Sequence, residues 1–255
     1  MKKRGYVLIT GASSGIGRQF AIEYSKRDYI PILVARREER LKKLKRKLWG
    51  KSHIIVADIT REEDVDRIFN IIEDIPIEIF INNAGFGLAG DYEDTALDRE
   101  KSMIDLNITA FHVMFKRMLL KMEAQGRGTI LNVASSAGLF PGGPYMATYY
   151  ATKSYVSSLT SGVSEELRQK HSNVYVAALC PGPVDTEFNK VAGVTFALDG
   201  MTAFKCVRWA LLEMKLRRTI IIPGFAMKLA AFGIRLIPRR LMLFIVSGQQ
   251  KKKLG

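Results

Sequence analysis

Two side chains four positions apart, the phenol of Tyr149 and the ammonium of Lys153, could perform acid–base chemistry together. On a helix, positions i and i+4 share one face, so the two groups stand side by side. A nearby cation favours phenolate and lowers a tyrosine pKa. A tyrosine poised in this way can donate or accept a proton near neutral pH. The spacing alone is common on helix surfaces and gains its weight from its surroundings. The pair follows the connection Pro141-Gly142-Gly143-Pro144, which reads as a shaped loop at the mouth of a site. Tyr150, offset by three from Lys153, reads as packing, while Tyr145 and Met146 fit either a substrate mouth or the core.

A second chemical signal lies near the start of the chain. Thr10-Gly11-Ala12-Ser13-Ser14-Gly15-Ile16-Gly17 follows an apolar run and opens an amphipathic one. Glycines at 11, 15 and 17 let the backbone turn sharply and approach a pyrophosphate. The helix start, with Ser13, Ser14 and Ile16 in its loop, supplies free N–H groups and a positive dipole end. After the next apolar run comes Val34-Ala35-Arg36-Arg37. A carboxylate at 35 would bond a ribose 2′-hydroxyl and repel a 2′-phosphate. Ala35 stands there instead, and the guanidinium fork of Arg36 matches phosphate geometry. These residues predict NADP(H) in preference to NAD(H). Arg18 reads as solvent-facing.

The elements that must position these groups alternate along the chain. Strand-like runs at 6–10, 31–35, 52–57, 77–82, 129–134, 174–179 and 219–222 are separated by helical patterns near 15–27, 38–48, 61–73, 98–124, 150–170 and 201–216. Strands separated by helices imply βαβ units and a parallel sheet covered on both faces. Right-handed crossovers then give an α/β fold with a doubly wound, Rossmann-like parallel sheet of about seven strands. With no repeat or linker, residues 1–255 read as a single domain.

Taken together, these residues resemble the short-chain dehydrogenase/reductase family, over roughly residues 4–190 and in consistent order. The Thr10–Gly17 turn is similar to the family's cofactor loop, whose spacing differs from that of the extended branch. Asp58 resembles the acid that contacts adenine, and Asn82-Asn83-Ala84-Gly85 the N-N-A-G signature. Asn107 resembles the helix asparagine, Ser135 the catalytic serine, and Tyr149 with Lys153 the Y-x-x-x-K pair. Pro181-Gly182, with Val184 and Thr186, resembles the loop that holds the nicotinamide carboxamide. The gap from Ser135 to Tyr149 is fourteen residues, one more than the family's usual spacing, which Ser136 would restore. Ala137-Gly138 favours Ser135, with the extra residue falling in the Pro141–Pro144 loop, since loops absorb insertions.

The resemblance implies reversible hydride transfer between a nicotinamide and a ketone or secondary alcohol. Tyr149 would donate the proton, Lys153 lower its pKa and bond the ribose, Ser135 polarise the carbonyl, and Asn107 hold a relay water. A homodimer or homotetramer is the family expectation. The competing functional class, a non-catalytic NADPH-binding sensor or scaffold, has no need of a tuned proton donor.

Composition narrows the partners. The two cysteines, Cys180 and Cys206, suggest a reducing compartment, and no secretory leader pattern is visible, so a cytoplasmic location is expected. His53, His112 and His171 form no metal-ligand spacing, so no metal site is predicted. Net charge is +14, of which residues 201–255 carry +11, with twelve Lys/Arg against one acid, Glu213. No nucleic-acid-binding motif accompanies this charge, and nucleic acid is not an expected partner. The apolar stretch 191–198 is expected to cover the substrate. Segment 224–255 mixes Leu, Phe, Ile and Met with cations and supports two readings. It either walls the pocket and packs on protein, or lies as an amphipathic segment on anionic lipid, which would suit a lipophilic carbonyl substrate and make the protein membrane-peripheral.

Overall fold

Runs rich in Val, Ile and Leu become strands because they can bury both of their faces, and here they do so between two layers of helices. A computed structural model describes residues 5–193 and 200–254. The main sheet begins with β1 (Gly5–Thr10), β2 (Tyr29–Ala35), β3 (His53–Val56) and β4 (Ile77–Asn82), and continues with β5 (Gly128–Val133) and β6 (Val174–Leu179). The short β7 (Val184–Asp185) and β8 (Met201–Thr202) pair with each other, and β9 (Ile220–Ile221) joins the main sheet. The main sheet has seven strands in the order β3-β2-β1-β4-β5-β6-β9, all parallel. The chain winds outward from β1 in one direction and from β4 in the other. The crevice therefore opens where Thr10 ends β1 beside Asn82, which ends β4.

The helices are α1 (Gly15–Ser25), α2 (Glu38–Lys45), α3 (Glu62–Ile71), α4 (Leu97–Ile104), α5 (Phe111–Gln125) and α6 (Ala147–Gln169), followed by α7 (Glu187–Ala192), α8 (Ala203–Lys215), α9 (Phe225–Gly233) and α10 (Arg239–Leu254). One core layer sets Phe20, Leu41 and Val207 against Val7, Ile9 and Leu33. The other sets Ile68, Met114 and Val156 against Leu8, Phe80 and Ile130. Each large side chain buried in this way stabilises the fold by about 1.5–3 kcal/mol.

Two departures from the sequence expectation bear on the site. The single helix expected over 98–124 is interrupted by a π-wound stretch, Asp105–Ala110, which puts Asn107 at an irregular point between α4 and α5. The helix expected from 150 begins at Ala147, because Met146 N–H bonds Gly143 O and Tyr145 turns the chain with a φ of 65°. Tyr149 therefore lies inside α6 rather than ahead of it. Within the expected substrate cover, 194–199 lies outside the described residues.

Candidate active site

At the switch point, the turn after β1 is held by the residues after β4. Thr10 Oγ1 accepts from the N–H groups of Asn83 (2.9 Å) and Ala84 (3.1 Å), and Asn83 Nδ2 donates to Thr10 O (3.0 Å). Gly11 has a φ of 64°, and a Cβ there would stand 2.7 Å from Asn83 Nδ2, so only glycine fits. Gly17 is excluded from bearing a side chain by Gly11 O, 2.6 Å from its would-be Cβ, and packs behind the cavity wall. Ser14 opens α1 without a side-chain cap, which leaves the first-turn N–H groups free for an anion.

From this turn a cavity of about 500 Å³ runs to α6. Its walls include Gly11, Ser13, Ser14, Gly15 and Ile16 at one end, then Arg36, Asp58, Asn83, Ala84 and Gly85, and finally Ser135, Tyr149, Lys153, Pro181, Gly182, Val184 and Thr186. Residues expected at one site from distant parts of the chain thus line one cleft. Asn107 stands behind the wall. Its amide donates to Phe86 O (2.8 Å) and Thr152 Oγ1 (3.1 Å) and accepts from Phe86 N–H (3.1 Å), tying the π-wound stretch to the wall and to α6.

At the α6 end of the cleft Tyr149 and Lys153 are buried. Lys153 Nζ donates to Val133 O at 3.0 Å, and burial pulls its pKa down from 10.5 to about 8. Burial pushes the Tyr149 phenol above its ordinary value, opposed by the neighbouring Ser135 hydroxyl. Lys153 Nζ stands 6.0 Å from the Tyr149 ring centroid, and burial is the largest influence on the phenol. Of the two neighbouring serines, Ser135 is the one whose hydroxyl pulls the phenol's pKa down, and its Oγ accepts from Ala137 N–H at 3.1 Å. Ser136 uses its backbone N–H on Pro181 O at 2.8 Å, which fastens the Pro181-Gly182 loop to the end of β5.

Comparison with known proteins identifies the family. The family described as short chain dehydrogenase matches residues 5–194. The chain belongs to the short-chain dehydrogenase family. The very-long-chain 3-oxoacyl-CoA reductase of Anas platyrhynchos is 30% identical over 200 residues, 75% of this chain and 63% of that protein. The human 17-beta-hydroxysteroid dehydrogenase type 3 is 32% identical over 191 residues, 72% of this chain and 61% of that protein. The chain thus spans under two thirds of the length of these two relatives. A short-chain dehydrogenase from Sphingobium yanoikuyae, solved in complex with NADPH, is 31% identical, with a TM-score of 0.79 covering 92% of this chain and 97% of the other. Membership makes the protein an oxidoreductase that uses a nicotinamide cofactor on a small-molecule substrate.

Three side chains of this short-chain dehydrogenase's cavity, Arg37, Gln250 and Phe188, carry no assignment from sequence. Arg37 donates to Ser13 Oγ (3.0 Å) and Ser14 Oγ (3.1 Å) and pairs with Glu187 at 2.8 Å, so it reaches the phosphate loop. Arg36 is 71% exposed and pairs with Asp58 at 3.3 Å. Gln250 on α10 donates to Tyr150 Oη at 2.5 Å, while burial pushes Tyr150 up to about 12. Phe188 leans on Tyr149 with ring centroids 5.4 Å apart. The adjacency of Arg37 to Arg36 was a readable signal, but nothing local marks Gln250, a hundred residues from its partner.

Proposed function

We propose that the protein is an NADP(H)-dependent carbonyl reductase, reversible as a secondary-alcohol dehydrogenase, acting on a lipophilic ketone. One observation carries the reading: the buried Tyr149 and Lys153, with the half-buried Ser135, close the end of a cleft whose other end offers uncapped helix amides and two arginines. The residues fit the cofactor. Gly11 gives the backbone close approach, and the free α1 amides suit a pyrophosphate. Ala35 brings no competing carboxylate, and Arg36 and Arg37 suit a 2′-phosphate.

Bound nicotinamide supplies the hydride. Ser135 Oγ orients and polarises the substrate oxygen, and Tyr149 Oη gives that oxygen its proton. Lys153, held by Val133 O, bonds the ribose and keeps a positive charge behind the phenol. Asn107 positions Phe86 and Thr152, and a relay water near it would reconnect Lys153 with bulk solvent. An apolar substrate is supported by Phe86, Ala137, Met146 and Phe188 in the wall, and by two relatives named for a long-chain acyl and a steroid substrate. A cytoplasmic, membrane-peripheral homodimer or homotetramer completes the proposal. Sedimentation of the full chain checks the oligomer.

Tyr149→Phe tests the reading. We expect carbonyl reduction to fall by about 10²–10⁴ while NADPH still binds by fluorescence titration. Near-full turnover would remove Tyr149 from its role. Tight NADPH binding by the wild type without turnover of any carbonyl would instead favour a sensor or scaffold.

A further inference from the structure

The C-terminal helices present their large apolar residues outward. Phe225, Leu229, Phe232 and Leu236 recur at i, i+4, i+7 and i+11 along α9 and the turn after it, which is one helical stripe. Together with Leu241 and Phe244 on α10, they are between 51% and 78% exposed. No residue of α9 is fully buried. α10 is two-sided, with Met242, Val246 and Gln250 facing in and Leu241, Phe244 and Ile245 facing out. A stripe that contributes so little to the core invites a partner.

Charge selects among partners. Residues 224–254 hold seven Lys/Arg and not one Asp or Glu. A second copy bound through the same face would set these cations against themselves, since a two-fold contact must be self-complementary. An anionic lipid surface accepts both features at once: Lys and Arg at the headgroups, Phe and Leu below them. The other faces of the same two helices lie by the cavity. Met227 of α9 lies against Gly182, Leu243 of α10 against Gly142, and Gln250 lines the cavity itself. Arg239 ties the start of α10 to Pro141 O at 3.2 Å.

We propose that the outward stripe of α9 and α10 docks the protein on an anionic bilayer and turns the cavity mouth toward the lipid. No helix among the described residues is long and apolar enough to cross a membrane, so the contact is interfacial. Docking stands on the surface alone; the benefit of drawing a lipophilic ketone from the bilayer rests on the carbonyl-reductase reading.

The test is co-sedimentation of the full chain with phosphatidylcholine vesicles, with and without phosphatidylglycerol. The wild type should pellet with the anionic vesicles and not with the neutral ones. High salt should weaken binding, because screening shortens electrostatic reach. The double variant Phe225→Ser/Phe244→Ser should lose about tenfold or more in partitioning, with its melting temperature unchanged. Failure to pellet, equal pelleting with neutral vesicles, or an unaffected double variant would each overturn the proposal. So would a solution mass that halves in the double variant, which would give the stripe to a second copy. Pelleting is read without turnover. A membrane-bound but inert chain would therefore sink the reductase reading alone, and an active chain that ignores vesicles would sink this one alone.

Discussion

Phe20 and Phe225 are the same residue on two helices of one domain, and they sit in opposite environments. Phe20 on α1 is fully buried against the sheet, whereas Phe225 on α9 is 78% exposed. The contrast extends to the elements around them. α1 is tied to the sheet through Phe20, Ala21 and Tyr24, and its free N-terminal amides face the cleft. α9 buries no residue completely. Burial explains why α1 is apolar, but it cannot explain α9, whose composition must answer to something outside the fold.

The largest effect that would sharpen this contrast is energetic. Phe20→Ala should cost about 3–5 kcal/mol in a urea titration, from lost transfer energy and the cavity left behind. Phe225→Ser should stay within about 0.5 kcal/mol. A comparable loss for Phe225→Ser would mean that α9 is a core element and would erase the distinction.

Lys153 gives the next largest effect, and it carries a sign. Its folded pKa, about 8, lies below its ordinary 10.5. Between these values the unfolded chain binds the proton that the folded chain has released, so stability rises with pH across that window. At pH 7 the buried ammonium costs the fold up to about 3 kcal/mol. Lys153→Met should therefore leave the protein as stable or more stable at pH 7, and flatten the rise between pH 8 and 10.5. Turnover should collapse in the same variant. A strongly destabilised Lys153→Met would make the lysine a structural strut through its bond to Val133 O, and a membrane helix variant would show no such pH signature.

The smallest expected effect concerns cofactor choice. A charge-assisted bond contributes about 1.5–3 kcal/mol, so Arg37→Ala should shrink the NADP(H)/NAD(H) ratio of kcat/KM by about tenfold or more. Arg36→Ala, whose guanidinium is the more exposed, should do less. An unchanged ratio in both variants would remove the arginines as discriminators. Neither change should alter vesicle binding, which belongs to the other region.

The two regions also differ in how far the sequence disclosed them. The β1–turn–α1 unit was readable because Gly11, Gly15 and Gly17 stand where backbone must turn or approach closely, and local chemistry decides the outcome. The parallel, doubly wound character of the sheet followed from the alternation of strand-like and helix-like runs. The π-wound stretch Asp105–Ala110 was not readable, because its residues continue an ordinary helical pattern. The start of α6 at Ala147 depended on a turn at Tyr145, which sequence does not mark as left-handed. Arg37 lay in plain view beside Arg36, but only its contact with Ser13 and Ser14 distinguishes it. For α9, composition showed apolar residues among cations without saying which side faces inward, so pocket wall and lipid contact stayed open together. Likewise the rise in the Tyr149 pKa came from burial, a tertiary quantity that spacing to Lys153 does not contain.

A crystal structure of the full chain with NADPH tests the central claim most directly. The account predicts the nicotinamide C4 edge beside the Tyr149 hydroxyl, Lys153 Nζ on the ribose, and the 2′-phosphate between Arg36 and Arg37. A phenol turned away from C4 would contradict it.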